Sequence, residues 1–281
     1  MSTLAEVENR VVSTIPEWAR LTFSYARFFA LHLMCFAAIW TGVSVKALIL
    51  CACIYTFHIL SVTCGYHRYF SHRSFKTSRV FQFILGFCSQ TSAQKGVLWW
   101  AAHHRFHHRH SDMKDDIHSP KDGIWWSYCG WILSESTRNT RLAHVEDLAK
   151  YPELRLLNYF TYTPVVILAV AVYFFMGWQG VVVGWLWGTI LSYHATFCNN
   201  CFAHIFGSRR YNTTDTSRNN WLLAFVVLGE GWHNNHHRYP SSARNGFFWW
   251  EIDITYYVLW LMSKVGLIWD LRPVPARVAR G

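Results

Sequence analysis

Long uncharged apolar runs, rather than short alternating ones, set the plan of this chain. Phe28–Val45 carries no charge, Ala47–His67 has only histidine as an ionisable cation, and Lys46 alone separates them. Eighteen helical residues cover about 27 Å, close to the hydrocarbon thickness of a bilayer. The pair therefore predicts two antiparallel membrane spans, 28–45 and 47–64, joined by a very short turn. A second run, Leu156–Tyr193, is too long for one span. It contains Met176-Gly-Trp-Gln-Gly180, where two glycines and a polar residue mark a turn. That break predicts spans at 159–176 and 181–198. Val80–Cys88 and Leu222–Leu228 are too short to cross and read as buried or interfacial helices. Phe247–Trp269 is long enough, but Glu251, Asp253 and Lys264 would each cost roughly 2.5–3.5 kcal/mol at mid-bilayer. An interfacial helix is the expectation there.

Composition agrees with a membrane protein. Of the 281 residues, 52% are hydrophobic and only 15% charged, whereas soluble domains hold about a quarter charged residues. No linker, repeat or low-complexity tract divides the chain, so a single integral-membrane domain over 1–281 is expected. Four spans put both termini and the long central connection on one side. Of the 26 Lys and Arg residues, all but Lys46 fall on that side, which makes it cytoplasmic by the positive-inside rule. The expected fold class is thus an all-α membrane protein. Its four transmembrane helices form two hairpins under a cytoplasmic helical cap, 65–158 and 199–281.

The formal charge of +10 does not signal nucleic acid. The basic residues are spread between the apolar runs rather than gathered in one stripe, and attraction to anionic lipid headgroups accounts for them. The eight cysteines lie mostly in apolar sequence, where free Cys behaves as a small hydrophobe. Cys198-Asn-Asn-Cys201 has redox or zinc spacing but lacks a second pair. No cleavable leader is expected, because Met1–Arg27 contains Glu6, Glu8 and Glu17 and no apolar core.

The chemistry lies in histidine. Three clusters flank the apolar runs: His67-Arg-Tyr-Phe-Ser-His72, His104-Arg-Phe-His107-His108 and His233-Asn-Asn-His236-His237. His204 stands alone, four residues after Asn200. In a helix, positions i, i+3 and i+4 share a face. His104, His107 and His108 obey that spacing, and His233, His236 and His237 repeat it. His67 and His72 are five apart and converge only if the chain bends there. Neutral imidazole is a common ligand of transition metals. Nine such ligands are too many for one ion and about right for two. A soluble two-iron protein supplies Glu and Glu-x-x-His from a bundle, and no such motif occurs in these spans. Asp112, Asp115, Asp116 and Glu230 flank the clusters and are candidates to orient metal-bound imidazoles. His32, His58 and His194 read as hydrogen-bonded core residues of the spans. His103, His110, His118 and His144 read as solvent-facing or as supports of the ligands.

With these ordered motifs, from about Gly65 to Pro275, the chain resembles the membrane-bound fatty-acid desaturases of the stearoyl-CoA (delta-9) type. Ser111-Asp112, Asp116-Ile-His118-Ser119 and the Asn200…His204 pair extend the likeness. The resemblance implies a di-iron centre that uses O2. Its ligands would be His67, His72, His104, His107, His108, His204, His233, His236 and His237, with Asn200 acting through a water. It implies a bent apolar tunnel lined by Gln94, Trp100 and Thr196. It implies a fatty acyl substrate, carried as a CoA thioester, on acyl-carrier protein or in a lipid. Animal acyl-CoA enzymes have Arg-Asp immediately before the second cluster, where it contributes to headgroup binding; here Ala102 and His103 stand there, a departure from the acyl-CoA pattern that leaves all three carriers open. No cytochrome b5-like domain is evident. A separate donor of ferredoxin, rubredoxin or cytochrome b5 type, with its reductase, is therefore implied.

The reaction so implied is oxygen-dependent insertion of a cis double bond into a saturated chain, at carbon nine. A methylene offers no acidic proton or leaving group, so chemistry must begin with an activated-oxygen metal centre. Two other readings share these features. A related membrane di-iron hydroxylase acting on an alkane, sterol or carotenoid begins with the same hydrogen abstraction. A histidine-rich metal transporter would need polar ligands at mid-membrane, yet the spans contain no Asp or Glu.

Overall fold

The computed structural model describes residues 16–279, mostly helix with one short two-stranded ribbon. The leader reading falls largely on residues 1–15, outside those described. Three stretches are long and apolar enough to cross a membrane: Glu17–Thr41, Val45–Ser71 and Thr163–Phe202.

The first stretch starts earlier than its uncharged run. Helix α1 (Glu17–Met34) carries Arg20 and Arg27 within it, Arg20 paired with Glu135 and Arg27 lying over the rings of Phe23 and Tyr162. Charge that finds partners does not end a helix. The connecting turn lies at 42–44 rather than at Lys46. Gly42 takes φ +71°, a conformation glycine adopts without strain, and the Ser44 side chain caps α2 (Val45–Ser61) by accepting from the Ala47 amide. Lys46 rides in the first turn of α2.

Beyond α2 the chain winds on as a π-helix, Val62–Ser71. Helix α3 (Arg79–Gln90) is capped by Ser78, and α4 (Val97–His110) follows a tight turn. Helix α5 (Pro152–Tyr159) leads into the third apolar stretch. That stretch is not one rod. Near the end of α6 (Thr163–Gln179), Gly177 breaks the helix with φ +61° and ψ −158°, and a π segment, Gly180–Leu186, then runs into α7 (Trp187–Phe202). The chain reverses there: a Cβ on Gly180 would lie 3.3 Å from Val172 Cγ1, eight residues back. The expected break at Met176–Gly180 is present.

Gln179 ties this turn to the earlier one, accepting from Ser44 Oγ at 2.7 Å and donating to the Thr41 carbonyl at 3.0 Å. Helix α7 then lies tightly on α2, where a Cβ on Gly188 would come within 2.9 Å of the Cys51 carbonyl. Apolar side chains such as Trp40 and Phe174, each 82% exposed, point outward, as a lipid-facing surface requires.

Short helices α8 (Trp221–Val226), α9 (His233–Arg238) and α10 (Ile254–Lys264) complete the site-bearing half. The helix expected over 247–269 is confined to α10. Glu251 and Asp253 bind Arg210 and Arg68, and Asp253 also caps α10, so these acids organise a turn instead of riding on a helix. Ile268–Trp269 pairs antiparallel with Lys76–Thr77. A buried apolar cluster of Tyr66, Phe70, Leu98, Leu148, Leu154 and Leu259 joins the π segment to α4, α5 and α10.

Candidate metal centre

The π-helical winding resolves the five-residue spacing of the first cluster. In a π-helix, hydrogen bonds run from i to i+5, and the His72 amide donates to the His67 carbonyl at 3.1 Å. Residues five apart then lie above one another, and the two rings meet edge to face with centroids 4.8 Å apart. Helix α4 adds His104, His107 and His108 at one-face spacing. Helix α9 adds His233, His236 and His237, and His204 follows the end of α7.

The nine rings divide into two groups. In one, His67, His72, His104, His108 and His236 converge. Their Nε2 atoms form a chain of close approaches: His67 to His236 3.0 Å, His236 to His108 3.0 Å, His108 to His104 3.0 Å and His104 to His72 2.9 Å. A neutral imidazole nitrogen has either one proton or one lone pair. The three middle nitrogens each face two others, so hydrogen bonding cannot satisfy them. Ligands at right angles around an ion about 2.1 Å away would sit about 3.0 Å apart. The donor set fits a metal.

In the second group His107, His204 and His237 converge, and His233 Nε2 lies 3.1 Å from His204 Nε2. The Nε2 atoms of His107 and His237 are buried and lack a hydrogen-bond partner among the described residues. Such atoms are costly unless a ligand takes them up.

Carboxylates hold the opposite nitrogens. His67 Nδ1 lies 2.7 Å from Glu230, His107 Nδ1 2.8 Å from Asp116, His204 Nδ1 3.0 Å from Asp112 and His237 Nδ1 2.7 Å from Asp215. A proton fixed on Nδ1 leaves the Nε2 lone pair free for a metal. Burial would raise the pKa of Asp112, Asp116 and Asp215, but the facing imidazoles and neighbouring donors outweigh it and hold all three low. Burial, then repulsion among the rings, keeps His104, His108 and His236 well below the usual range. Those three rings are neutral, as ligation needs.

Three of the four flanking acids read from the sequence reach the site. Asp115 does not; it is exposed. Asp215 was not legible, since it sits in a polar Thr-Thr-Asp-Thr-Ser run that looks like ordinary loop. Also unforeseen is Arg68, fully buried and bonded to both Glu230 and Asp253. Of the histidines read as solvent-facing or supporting, His103 and His118 are buried; His103 stacks on Trp99, and His118 on His107 with centroids 4.0 Å apart. His110 and His144 are half-buried. His32 and His194 are hydrogen-bonded as expected, though only half-buried: their Nε2 atoms lie 2.9 Å apart, and Tyr128 donates to His194. His58 is buried with neither ring nitrogen hydrogen-bonded among the described residues.

Gln94, Trp100, Thr196 and Asn200 line one small cavity beside His104. Gln94 Nε2 donates to Thr196 Oγ1 at 3.1 Å, and Trp100 stacks between Tyr66 and His104.

Residues 44–260 match the fatty acid desaturase family model, and the chain belongs to that family. Among similar proteins is a delta-9 acyl-lipid desaturase 2 of Arabidopsis thaliana, 35% identical over 99% of this chain and 93% of its own length. An sn-1 stearoyl-lipid 9-desaturase of Anabaena variabilis is 37% identical over 76% of this chain and 79% of its own. An acyl-CoA C20 delta5-desaturase of Anemone leveillei is 32% identical over 96% and 88%. The chain is an oxidoreductase, a fatty acyl desaturase.

Proposed function

We propose that the chain uses O2 to introduce a cis double bond at carbon nine of a saturated acyl chain, at a di-iron centre. The observation that carries this is the division of nine buried or half-buried imidazoles into two groups, four of them oriented by carboxylates. One iron would be held by His67, His72, His104, His108 and His236. The other would be held by His107, His204, His233 and His237, with Asn200 reaching it through a water. Bound iron supplies the oxidising power that an unactivated methylene demands.

The chain's own side chains hold the substrate. Neighbouring methylenes are chemically alike, so position is selected by grip. Gln94, Thr196 and Trp100 are the residues assigned to the bend beside His104. Carbon nine is favoured because two of the relatives above are named for that position. Four membrane crossings, with both termini and the site cytoplasmic, are supported by the reversal at Gly177 and the placement of Lys and Arg. Electrons would come from a separate ferredoxin, rubredoxin or cytochrome b5 type of donor.

The test is lipid analysis after expression in a host lacking the activity. Chains unsaturated at carbon nine are expected; hydroxylated chains, or no altered chain, would overturn the reading.

A further inference from the structure

A second cavity, about 390 Å³ and mainly apolar, adjoins the small one beside His104 and shares the walls Gln94, Ile132 and Phe197 with it. It extends along α1 from Ser24 to Met34. Ala30 and Met34 on that wall are exposed, within a stretch apolar and long enough to cross a membrane. Its opening therefore faces the side of the molecule that lipid would cover.

Two cations stand in its lining, Arg27 and Lys95. The acid near Lys95, Glu135, is already engaged by Arg20 and Arg138, so positive charge is in excess. The turn bearing Lys95 is strained: Ala93 has φ +58° and Lys95 φ +71°. Non-glycine residues persist there only when their surroundings hold them, and such positions cluster at ligand sites. Two tyrosines do the holding. Tyr193 donates to the Ala93 carbonyl at 3.1 Å and Tyr66 to the Lys95 carbonyl at 2.7 Å. Tyr66 also stacks on Trp100, which links the turn to the ring packed on His104.

We propose that this cavity admits one acyl chain of an intact anionic glycerophospholipid sideways from the bilayer, with Arg27 and Lys95 pairing with its headgroup phosphate. The proposal rests on the desaturase reading and names its substrate class. A water-soluble thioester has no need of an opening along a membrane-facing helix. An apolar slot with a cationic lip matches a lipid whose chain is buried while its phosphate stays at the interface.

The test is equilibrium binding to the full-length, metal-loaded protein in nanodiscs, read by electron paramagnetic resonance. The probes carry a doxyl label on a stearoyl chain of phosphatidylglycerol, of neutral monogalactosyldiacylglycerol, or of coenzyme A. The double variant Arg27→Gln, Lys95→Gln should weaken phosphatidylglycerol binding by about tenfold or more, since each lost contact is a charge-assisted hydrogen bond, while galactolipid binding is unchanged. Leu31→Trp, which fills the opening, should expel both lipids. Equal phosphatidylglycerol binding by wild type and double variant would overturn the proposal, as would preferential binding of labelled stearoyl-CoA that Leu31→Trp leaves intact. Binding is read without turnover. Failure to make an unsaturated product would thus count against the activity and not against the portal.

Discussion

His237 Nδ1 and Asp215 Oδ2 lie 2.7 Å apart, although 22 positions separate them in the chain. The contact fixes the proton of His237 on Nδ1 and turns its buried Nε2 toward His107 and His204. Asp215 is itself held by Ser217 and Thr213. Replacing Asp215 by Asn should lower metal affinity at that group by about 10–100-fold, the usual cost of losing such a support. Metal counting on the purified variant should show one ion retained and the other depleted. Full metal content would remove Asp215 from the account.

Arg68 carries the charge balance beneath the other group. It donates to Glu230 at 3.0 Å and to Asp253 at 2.9 Å, all three being buried. Arg68→Ala leaves two carboxylates buried without their cation, and breaking such a pair costs roughly 3–5 kcal/mol. A markedly lower melting temperature in detergent is expected. An unchanged melt would mean that the acids find other partners.

Much of the architecture was legible because it rests on local rules. The one-face triplets on α4 and α9 and the glycine-marked reversal at Gly177 follow from spacing and turn chemistry alone. What stayed hidden depends on contacts between distant segments. The meeting of His67 with His72 needed π winding that residue types do not announce. Asp215 reaches His237 only after the loop from 205 to 220 folds across the site. Glu251 and Asp253 stand out in the sequence as charges within an apolar run, but their burial by Arg210 and Arg68 is a tertiary fact. Charge alone points to Lys46 as the turn between the first two apolar runs, whereas Gly42 and Ser44 supply the conformation and the cap that make it.

Thr196 accepts from Gln94 at the proposed bend. Thr196→Val removes that acceptor at little change in volume. A hydrogen bond of this kind is worth about 0.5–1.5 kcal/mol, up to about tenfold in discrimination between neighbouring methylenes. Product analysis should show double bonds spread over adjacent positions. A single unshifted position would assign the bend to other residues.

Lys95 makes phospholipid binding depend on pH. Burial first, then repulsion from Arg27 and Arg138 and against the attraction of Glu135, lowers its pKa from 10.5 to about 8. The ammonium is present below that value and lost above it. Binding of labelled phosphatidylglycerol should therefore weaken as pH rises from about 7 to about 9, and Lys95→Gln should flatten the curve. A wild-type curve already flat over that range would separate Lys95 from the headgroup.

The most direct measurement is iron counting on purified protein beside two histidine variants, one from each convergent group. Wild type should hold two ions per chain, one for each group of rings. His236→Ala should deplete one ion and His107→Ala the other, and both variants should remain membrane-inserted and make no unsaturated product. A wild-type chain with a single ion, or full metal and full activity in either variant, would contradict the account.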